Sequence, residues 1–83
     1  ISNGKDTRVN QTGNSGMTVG GTGDILAGVV GALFCTQESL TAATIAAYVV
    51  GKSGDLAVEE KGGYGILPTD LLPHIPTALG GKI

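Results

Sequence analysis

Apolar side chains recur at helical spacing directly after a glycine-rich stretch, and they predict a helix that begins at Thr22 or Gly23. The apolar positions of this helix are Ile25, Leu26, Val29, Val30, Leu33 and Phe34. Its remaining face carries only small residues such as Ala27 and Gly28, so the helix has no polar side for solvent. We therefore expect this helix to pack inside a larger structure.

A second helix is predicted from Leu40 to about Glu60, because a lysine and two glycines follow, as is common at helix C-termini. Thr36 or Ser39 is expected to cap its N-terminus, since both side chains can accept a hydrogen bond from a backbone N–H. The helix is rich in alanine, and such small side chains allow a neighbouring element to approach closely.

The two ends of the chain predict shorter elements. Residues 1–12 look like two extended pieces around an Asn-Gly turn, which predicts a short β-hairpin. All three prolines of the chain lie near its other end. They predict a short helix that starts at Pro68, with Asp70 in its first turn, and a final helical turn near residues 75–79.

Length and pattern together favour a part of an α/β protein. The chain has 83 residues, which is at most one small domain, and it begins with Ile1 rather than Met. An isolated domain of three helices would show polar outer stripes, and these helices show almost none. We expect one flank of an α/β fold whose sheet lies mostly outside residues 1–83, in a longer protein.

Charge and cysteine content exclude several classes of function. The net charge is -2, and the five lysines and arginines are scattered singly, so no basic surface for nucleic acid is expected. The lone cysteine, Cys35, lies in an apolar run, where we expect a small buried side chain in a reducing compartment. The apolar runs are far shorter than the ~20 residues that span a bilayer. The sequence thus predicts a cytoplasmic protein without a membrane segment.

The glycine-rich stretch "GNSGMTVGGTGD", residues 13–24, is the candidate functional loop. It does not match the dinucleotide-binding fingerprint, because the position that should hold the third glycine after Gly21 and Gly23 is Leu26. It does not match the P-loop either, since the first lysine after it is Lys52. Neither familiar phosphate motif is present.

The loop nevertheless places flexible backbone immediately before a helix N-terminus, where unpaired N–H groups and the helix dipole attract anions. Asp24 lies in the first turn of that helix. A carboxylate beside a bound phosphate would repel it, so Asp24 makes most sense as a base that takes the proton of an attacking hydroxyl. Spacing alone leaves a second interpretation open, in which Asp24 only caps the helix.

The string "TGNSGMTVGGTGDILAGVVGALF" closely resembles the signature of the ADP/ATP-dependent NAD(P)H-hydrate dehydratases, which belong to the ribokinase-like superfamily. Ser15 stands where that signature usually has proline. "AATIAAYVVGKSGDLAVEE" is similar to the next helix of the family, including a Gly-x-x-Gly-Asp element at Gly51 to Asp55, but Val50 stands where histidine is usual. "LPTDLLPHIPTAL" is similar to the closing segment of the family.

The resemblance implies an α/β, ribokinase-like three-layer fold. In that fold, residues 1–83 would be the mainly helical C-terminal part of a single dehydratase domain, preceded by the short β-hairpin. The full-length protein is expected to be a homo-oligomer, and charge and the short apolar runs predict that it binds neither nucleic acid nor membrane.

The reaction implied by the resemblance repairs hydrated NADH or NADPH. ADP or ATP, with Mg²⁺, would phosphorylate the ring hydroxyl, and loss of phosphate would restore the double bond. The resemblance makes Asp24 the catalytic base, with no metal ligand among the site residues. The implied nucleotide-binding residues are Gly20, Gly21, Thr22, Gly23, Asn14 and Gly16. The backbone N–H groups of Gly21, Thr22, Gly23 and Asp24 would hold the transferring phosphoryl group, and Asn14 and Gly16 would shape the wall between nucleotide and substrate.

Two other functions stay open at this stage. A small-molecule kinase of the same superfamily, of the hydroxyethylthiazole or hydroxymethylpyrimidine type, would share the Gly-Thr-Gly-Asp turn that is typical of the superfamily and stands here at Gly21 to Asp24. A non-catalytic nucleotide-binding module would keep the loop without a substrate pocket. Asp55 and His74 are interpreted as polar surface residues without a role in the site.

Overall fold

The computed structural model describes residues 1–80 and consists of helices joined by short loops. The α-helices are α1, Thr22–Phe34, α2, Ser39–Lys61, and α3, Ile75–Leu79. Single 3-10 turns occur at Ser15–Met17, Pro68–Asp70 and Leu72–His74. The predicted start of α1, the extent of α2 and the two short C-terminal elements are confirmed.

The long helix α2 is the centre of the structure, and α1 and α3 both pack against it. Ala42 and Ala46 are completely buried against Leu33 of α1, because their small side chains let the two helices approach closely. A second apolar cluster lies further along α2 and joins it to the C-terminal segment. Its buried members are Val50, Ala57, Ile66 and Leu71.

Most of α1 remains exposed within the described part of the chain. Only Leu33 of this helix is buried, whereas Phe34 is 60% exposed and Leu26 is 37% exposed. An apolar helix with one covered side matches the pattern of a helix that packs between two layers. No helix in residues 1–80 is long and apolar enough to cross a membrane.

The predicted β-hairpin at the N-terminus is wrong. Within residues 1–80 the only strand-like pairing is a single antiparallel bridge between Ser2 and Thr7, and no strand forms. The turn between them does form, since the Asn3 side chain accepts hydrogen bonds from the N–H groups of Lys5 and Asp6. All of residues 1–10 are exposed, so no apolar face stabilises a two-stranded ribbon, which is marginal by itself.

The N-terminal cap of α2 also differs from the prediction. Neither Thr36 nor Ser39 caps the helix; the Glu38 carboxylate does, accepting from the N–H groups of Leu40 at 3.2 Å and Thr41 at 2.7 Å. Glutamate is long enough to fold back onto these groups. At the other end, Gly62 ends the helix in the left-handed conformation, with φ of 74°, as predicted.

Cys35 is a further correction, because it is exposed rather than buried. It lies just past the end of α1, and its thiol points back to the Gly31 carbonyl at 3.5 Å. The apolar run that contains Cys35 is long enough for its residues to lie on all sides of α1. Only the side that faces α2 is covered within residues 1–80, and Cys35 is not on that side.

The Glu38 cap predicts a pH-dependent contribution to stability. Hydrogen bonds lower the pKa of Glu38 below the ordinary value of 4.5. The bond from the Thr41 hydroxyl has the largest effect, and the N–H groups of Thr41 and Leu40 add to it. Because the folded-state pKa is depressed, the stabilisation is present above the ordinary value and is lost as pH falls through the lowered pKa. In the full-length protein, Glu38→Gln should therefore melt below wild type at neutral pH, and the difference should shrink in acid.

Glu59→Gln is the matched control for this prediction, since it removes the same charge from an exposed position on α2. Thermal melts at neutral and acidic pH provide the measurement. A Glu38→Gln variant that matches Glu59→Gln at neutral pH would show that the cap contributes nothing.

Candidate functional site: the glycine loop and the start of α1

Residues 13–20 form a loop that lies between α2 and the N-terminus of α1 and leads into Gly21. Gly21 caps α1 with a φ of 107°, a conformation that side chains other than glycine rarely adopt. A Cβ atom at this position would also lie only 2.8 Å from Cγ of Pro68. Conformation and space therefore both require glycine at the start of α1.

The first N–H groups of α1 lie at an open surface. Because the helix begins at Thr22, the N–H groups of Thr22 and Gly23 have no carbonyl partner within the helix. The Asp24 N–H donates to the Gly21 carbonyl at 3.2 Å. A Cβ at Gly20 or Gly23 would meet nothing within 4 Å, so a ligand can approach the backbone there. This geometry suits an anion such as a phosphate group.

Asp24 lies at the same open end of α1. It is exposed in the first helical turn, and within residues 1–80 its carboxylate makes no hydrogen bond or ion pair. The cap of α1 is Gly21, which has no side chain to accept a hydrogen bond. Asp24 thus does not cap α1 through a hydrogen bond, and both carboxylate oxygens are available to a ligand.

Thr22 uses its hydroxyl to hold the preceding loop. The hydroxyl donates to the Met17 carbonyl at 2.9 Å and lies 3.1 Å from the Val19 carbonyl. This contact ties the end of the loop to the first turn of α1. What Thr22 can offer a phosphate is its N–H group, as the resemblance implied.

Asn14 and Gly16 are held within the loop and do not point freely at a ligand. The Asn14 side-chain NH₂ donates to Asp55 Oδ1 at 2.8 Å, while its Oδ1 accepts from the Gly16 N–H at 2.9 Å. A Cβ at Gly16 would lie 2.9 Å from the Tyr64 carbonyl oxygen, so this residue is enclosed. Both residues therefore shape the loop.

Asp55 has a contact that the sequence reasoning missed. It lies on a face of α2, as expected, but its carboxylate also accepts from the Asn14 side chain and from the Gly13 N–H of the loop at 3.1 Å. The signal was the Gly-x-x-Gly-Asp element on α2, whose two glycines face the same loop. His74, by contrast, lies away from the loop, with its Nε2 3.2 Å from the Glu60 carboxylate.

Gly51 and Gly54 allow the loop to lie directly on α2. A Cβ at Gly51 would lie 2.8 Å from the backbone carbonyl carbon of Thr12 and would also overlap its side chain. A Cβ at Gly54 would lie 2.8 Å from Cγ of Met17. The Thr12 hydroxyl uses this proximity to donate to the Tyr48 carbonyl of α2 at 3.0 Å.

An open groove of about 330 Å³ runs beside the loop, between the two long helices. Asn14 lines it from the loop, Leu26 from α1 and Val50 from α2. Val50 is almost fully buried and gives this wall an apolar surface where the resemblance would place an imidazole.

Two aspartates, Asp24 and Asp55, are the acidic side chains nearest to the loop. Among residues 1–80, no three His, Cys, Asp or Glu side chains lie close enough together to hold a metal ion.

The start of α1 is thus an open, glycine-capped helix N-terminus, where backbone N–H groups and the helix dipole favour an anion. The chain belongs to the NAD(P)H-hydrate dehydratase family, whose model matches residues 1–77. Membership in this family implies a ribokinase-like fold.

Several curated proteins named bifunctional NAD(P)H-hydrate repair enzyme Nnr are similar to this chain. The protein from Methanocaldococcus jannaschii is 47% identical over 95% of the chain, which is 16% of its own length. The one from Archaeoglobus fulgidus is 46% identical over 95% of the chain and 17% of its own length. The one from Hyperthermus butylicus is 44% identical over the whole chain and 16% of its own length.

The chain thus spans about a sixth of the length of these relatives. No solved structure matches it. The similarity covers both the glycine loop and the helix that supports it.

The contact at Gly51 predicts that a single methyl group will disturb the loop. Gly51→Ala in the full-length protein should cost about 1–3 kcal/mol of stability, because the backbone of Thr12 must move away from α2. Gly63→Ala is the matched control, since a Cβ there meets nothing within 4 Å. Urea unfolding of both variants gives the measurement, and equal midpoints would contradict the close approach.

Proposed function

We propose that the protein containing this chain repairs hydrated NADH and NADPH by nucleotide-dependent dehydration. The observation that carries the proposal is the open N-terminus of α1, where a glycine cap stands beside the exposed carboxylate of Asp24. Family membership and the repair enzymes to which the chain is similar support the choice of substrate. Residues 20–24 would form the centre of this site.

In this proposal the loop binds and Asp24 moves a proton. The N–H groups of Gly21, Thr22 and Gly23 would hold the phosphoryl group, and Gly20 would leave room for its approach. Asp24 would accept the proton from the ring hydroxyl as that oxygen bonds to phosphorus. ADP or ATP, when bound, would supply the phosphoryl group that makes the hydroxyl oxygen a leaving group. Loss of phosphate from one ring carbon, together with a proton from the neighbouring carbon, would then restore the ring double bond.

The N–H of Asp24 has a smaller part in this scheme than the resemblance implied. It already donates to the Gly21 carbonyl, so the N–H groups of Gly21, Thr22 and Gly23 would be the donors to the phosphate. Three donors at a helix N-terminus still favour a phosphate group through the helix dipole. Asn14 and Gly16 would act by shaping the loop and the adjoining wall of the groove.

Mg²⁺ fits this chain only as an ion carried mainly by the nucleotide. Magnesium commonly binds through one or two carboxylates, waters and substrate phosphates. Asp24 is the one exposed carboxylate at the open end of α1, and the described residues bring no acidic cluster to it. The nucleotide and water would therefore supply most of the ligands.

The remaining expectations concern the whole protein. We propose that residues 1–83 are the C-terminal part of one dehydratase domain, since the exposed apolar side of α1 would fit against a sheet. A homo-oligomeric state, a cytoplasmic location and the lack of a nucleic-acid partner stay predictions from the sequence.

The proposal predicts substrate selectivity that separates it from the other two functions. With ADP or ATP and Mg²⁺, the full-length protein should regenerate NADH and NADPH from their hydrates and release phosphate. Phosphorylation of hydroxyethylthiazole or hydroxymethylpyrimidine instead would identify a small-molecule kinase. Nucleotide binding without phosphate release, with any of these substrates, would identify a non-catalytic module.

Asp24→Asn tests the role of the carboxylate. It keeps the size of the side chain but removes the proton acceptor, so turnover should fall by at least ~10²-fold, the usual contribution of a positioned base. Nucleotide affinity should hold or rise, because a negative charge beside the phosphates has been removed. Steady-state kinetics and nucleotide titration of the full-length variant provide the measurement.

Asp6→Asn is the matched control, because Asp6 is an exposed aspartate in the N-terminal turn, away from α1. Both variants should melt near the wild-type temperature. Near-normal turnover of Asp24→Asn would show that Asp24 is not the base. Its remaining role would then be that of a negative charge that stabilises the N-terminus of α1.

A further inference from the structure

The carboxylate of Asp55 is the contact through which α2 holds the glycine loop. Each of its oxygens accepts one hydrogen bond, Oδ1 from the Asn14 side chain at 2.8 Å and Oδ2 from the Gly13 N–H at 3.1 Å. Both partners can only donate at these atoms, so both oxygens of residue 55 must accept. A carboxylate meets this demand, whereas an amide offers a single acceptor.

Asn14 passes this constraint on to the rest of the loop. Because its NH₂ group points at Asp55, its Oδ1 must point the other way, where it accepts from the Gly16 N–H at 2.9 Å. The 3-10 turn at Ser15–Met17 follows, and the Met17 carbonyl accepts from the Thr22 hydroxyl. A continuous series of hydrogen bonds therefore runs from α2 through the loop to the first turn of α1.

We propose that Asp55 is a positioning residue for the phosphate-binding N-terminus of α1. It fixes the orientation of Asn14, and through Asn14 it sets the path of the loop that leads into Gly21. The proposal rests on the function proposed above, since it assumes that the start of α1 binds a nucleotide phosphate. Asp55 itself acts from α2 and contacts the loop, not the open end of α1.

The same hydrogen bonds can form when the side chains at positions 14 and 55 are exchanged. In the double variant Asn14→Asp/Asp55→Asn, the new amide at position 55 can donate to the new carboxylate and accept from the Gly13 N–H. The carboxylate at position 14 can still accept from the Gly16 N–H. All three contacts are restored, with the charge moved across the pair.

The single variants should each break the arrangement. Asp55→Asn places two NH₂-bearing side chains opposite each other and leaves one donor without an acceptor. Asn14→Asp places two carboxylates opposite each other at the position of a 2.8 Å hydrogen bond. Loss of one hydrogen bond to a charged group should speed hydrogen exchange in residues 13–17 roughly tenfold.

The test uses the full-length protein and two measurements, exchange of peptides covering residues 13–20 and titration with ADP and ATP. Either single variant should exchange faster in this loop and bind nucleotide more weakly than wild type, and the double variant should recover both. Glu59→Gln is the matched control, because it removes a carboxylate from an exposed position on the same helix. It should change neither measurement.

Three results would overturn the proposal. Weaker nucleotide binding by Asp55→Asn with unchanged loop exchange would mean that Asp55 acts directly. Faster loop exchange with unchanged nucleotide binding would mean that the loop does not position the site. A double variant no better than Asn14→Asp in loop protection would exclude the reciprocal pair, and this comparison holds even if Asp55→Asn does not fold.

Neither measurement requires turnover. A protein that fails to dehydrate NADH hydrate but shows the expected pattern of loop exchange and nucleotide affinity would refute the proposed reaction and keep the role of Asp55. If the protein repairs the hydrate but Asp55→Asn behaves like Glu59→Gln, the proposed reaction is kept and the role of Asp55 is refuted.

Discussion

The close approach of the glycine loop to α2 is the constraint on which the rest of this structure depends. Gly51 and Gly54 leave no side chain between the helix and residues 12–17, so the loop backbone lies against the helix surface. Because the loop runs directly into Gly21, its path determines where α1 begins. The same helix buries Ala42 and Ala46 against α1. One helix thus sets both the direction of α1 and the position of its N-terminus.

Two aspartates near this loop have opposite surroundings, and the difference separates their chemistry. Asp55 accepts two hydrogen bonds and is committed to holding the chain. Asp24 makes none within residues 1–80 and lies at the positive end of a helix dipole. Both oxygens of Asp55 are thus occupied at the loop, whereas both oxygens of Asp24 are open to a ligand at the start of α1. Asp24 is therefore the better candidate for a base.

Local patterns predicted the helices, and longer-range contacts account for the errors. The apolar period of α1 and the lysine and glycines after α2 depend on neighbouring residues, so the sequence was sufficient for them. The hairpin failed because its stability depends on an apolar face that residues 1–10 do not find within this chain. The Glu38 cap was missed because N-caps usually have short polar side chains. Here the longer glutamate side chain reaches the N–H groups of Leu40 and Thr41 instead. The partnership of Asn14 and Asp55 crosses from the loop to α2, which no local pattern encodes.

The glycines of "GNSGMTVGGTGD" illustrate how much of the candidate site the sequence could predict. The motif located the site at the start of α1, but it could not say which glycines are needed for packing and which leave backbone exposed. Gly16 is enclosed by Tyr64 and Gly21 by Pro68, and both neighbours lie far along the chain. A side chain at either glycine would displace its neighbour. Gly20 and Gly23 face open space. Alanine would therefore have different effects at the two pairs of glycines. At Gly16 or Gly21 it would disturb the path of the loop, whereas at Gly20 or Gly23 it would narrow the access of a ligand to the N–H groups.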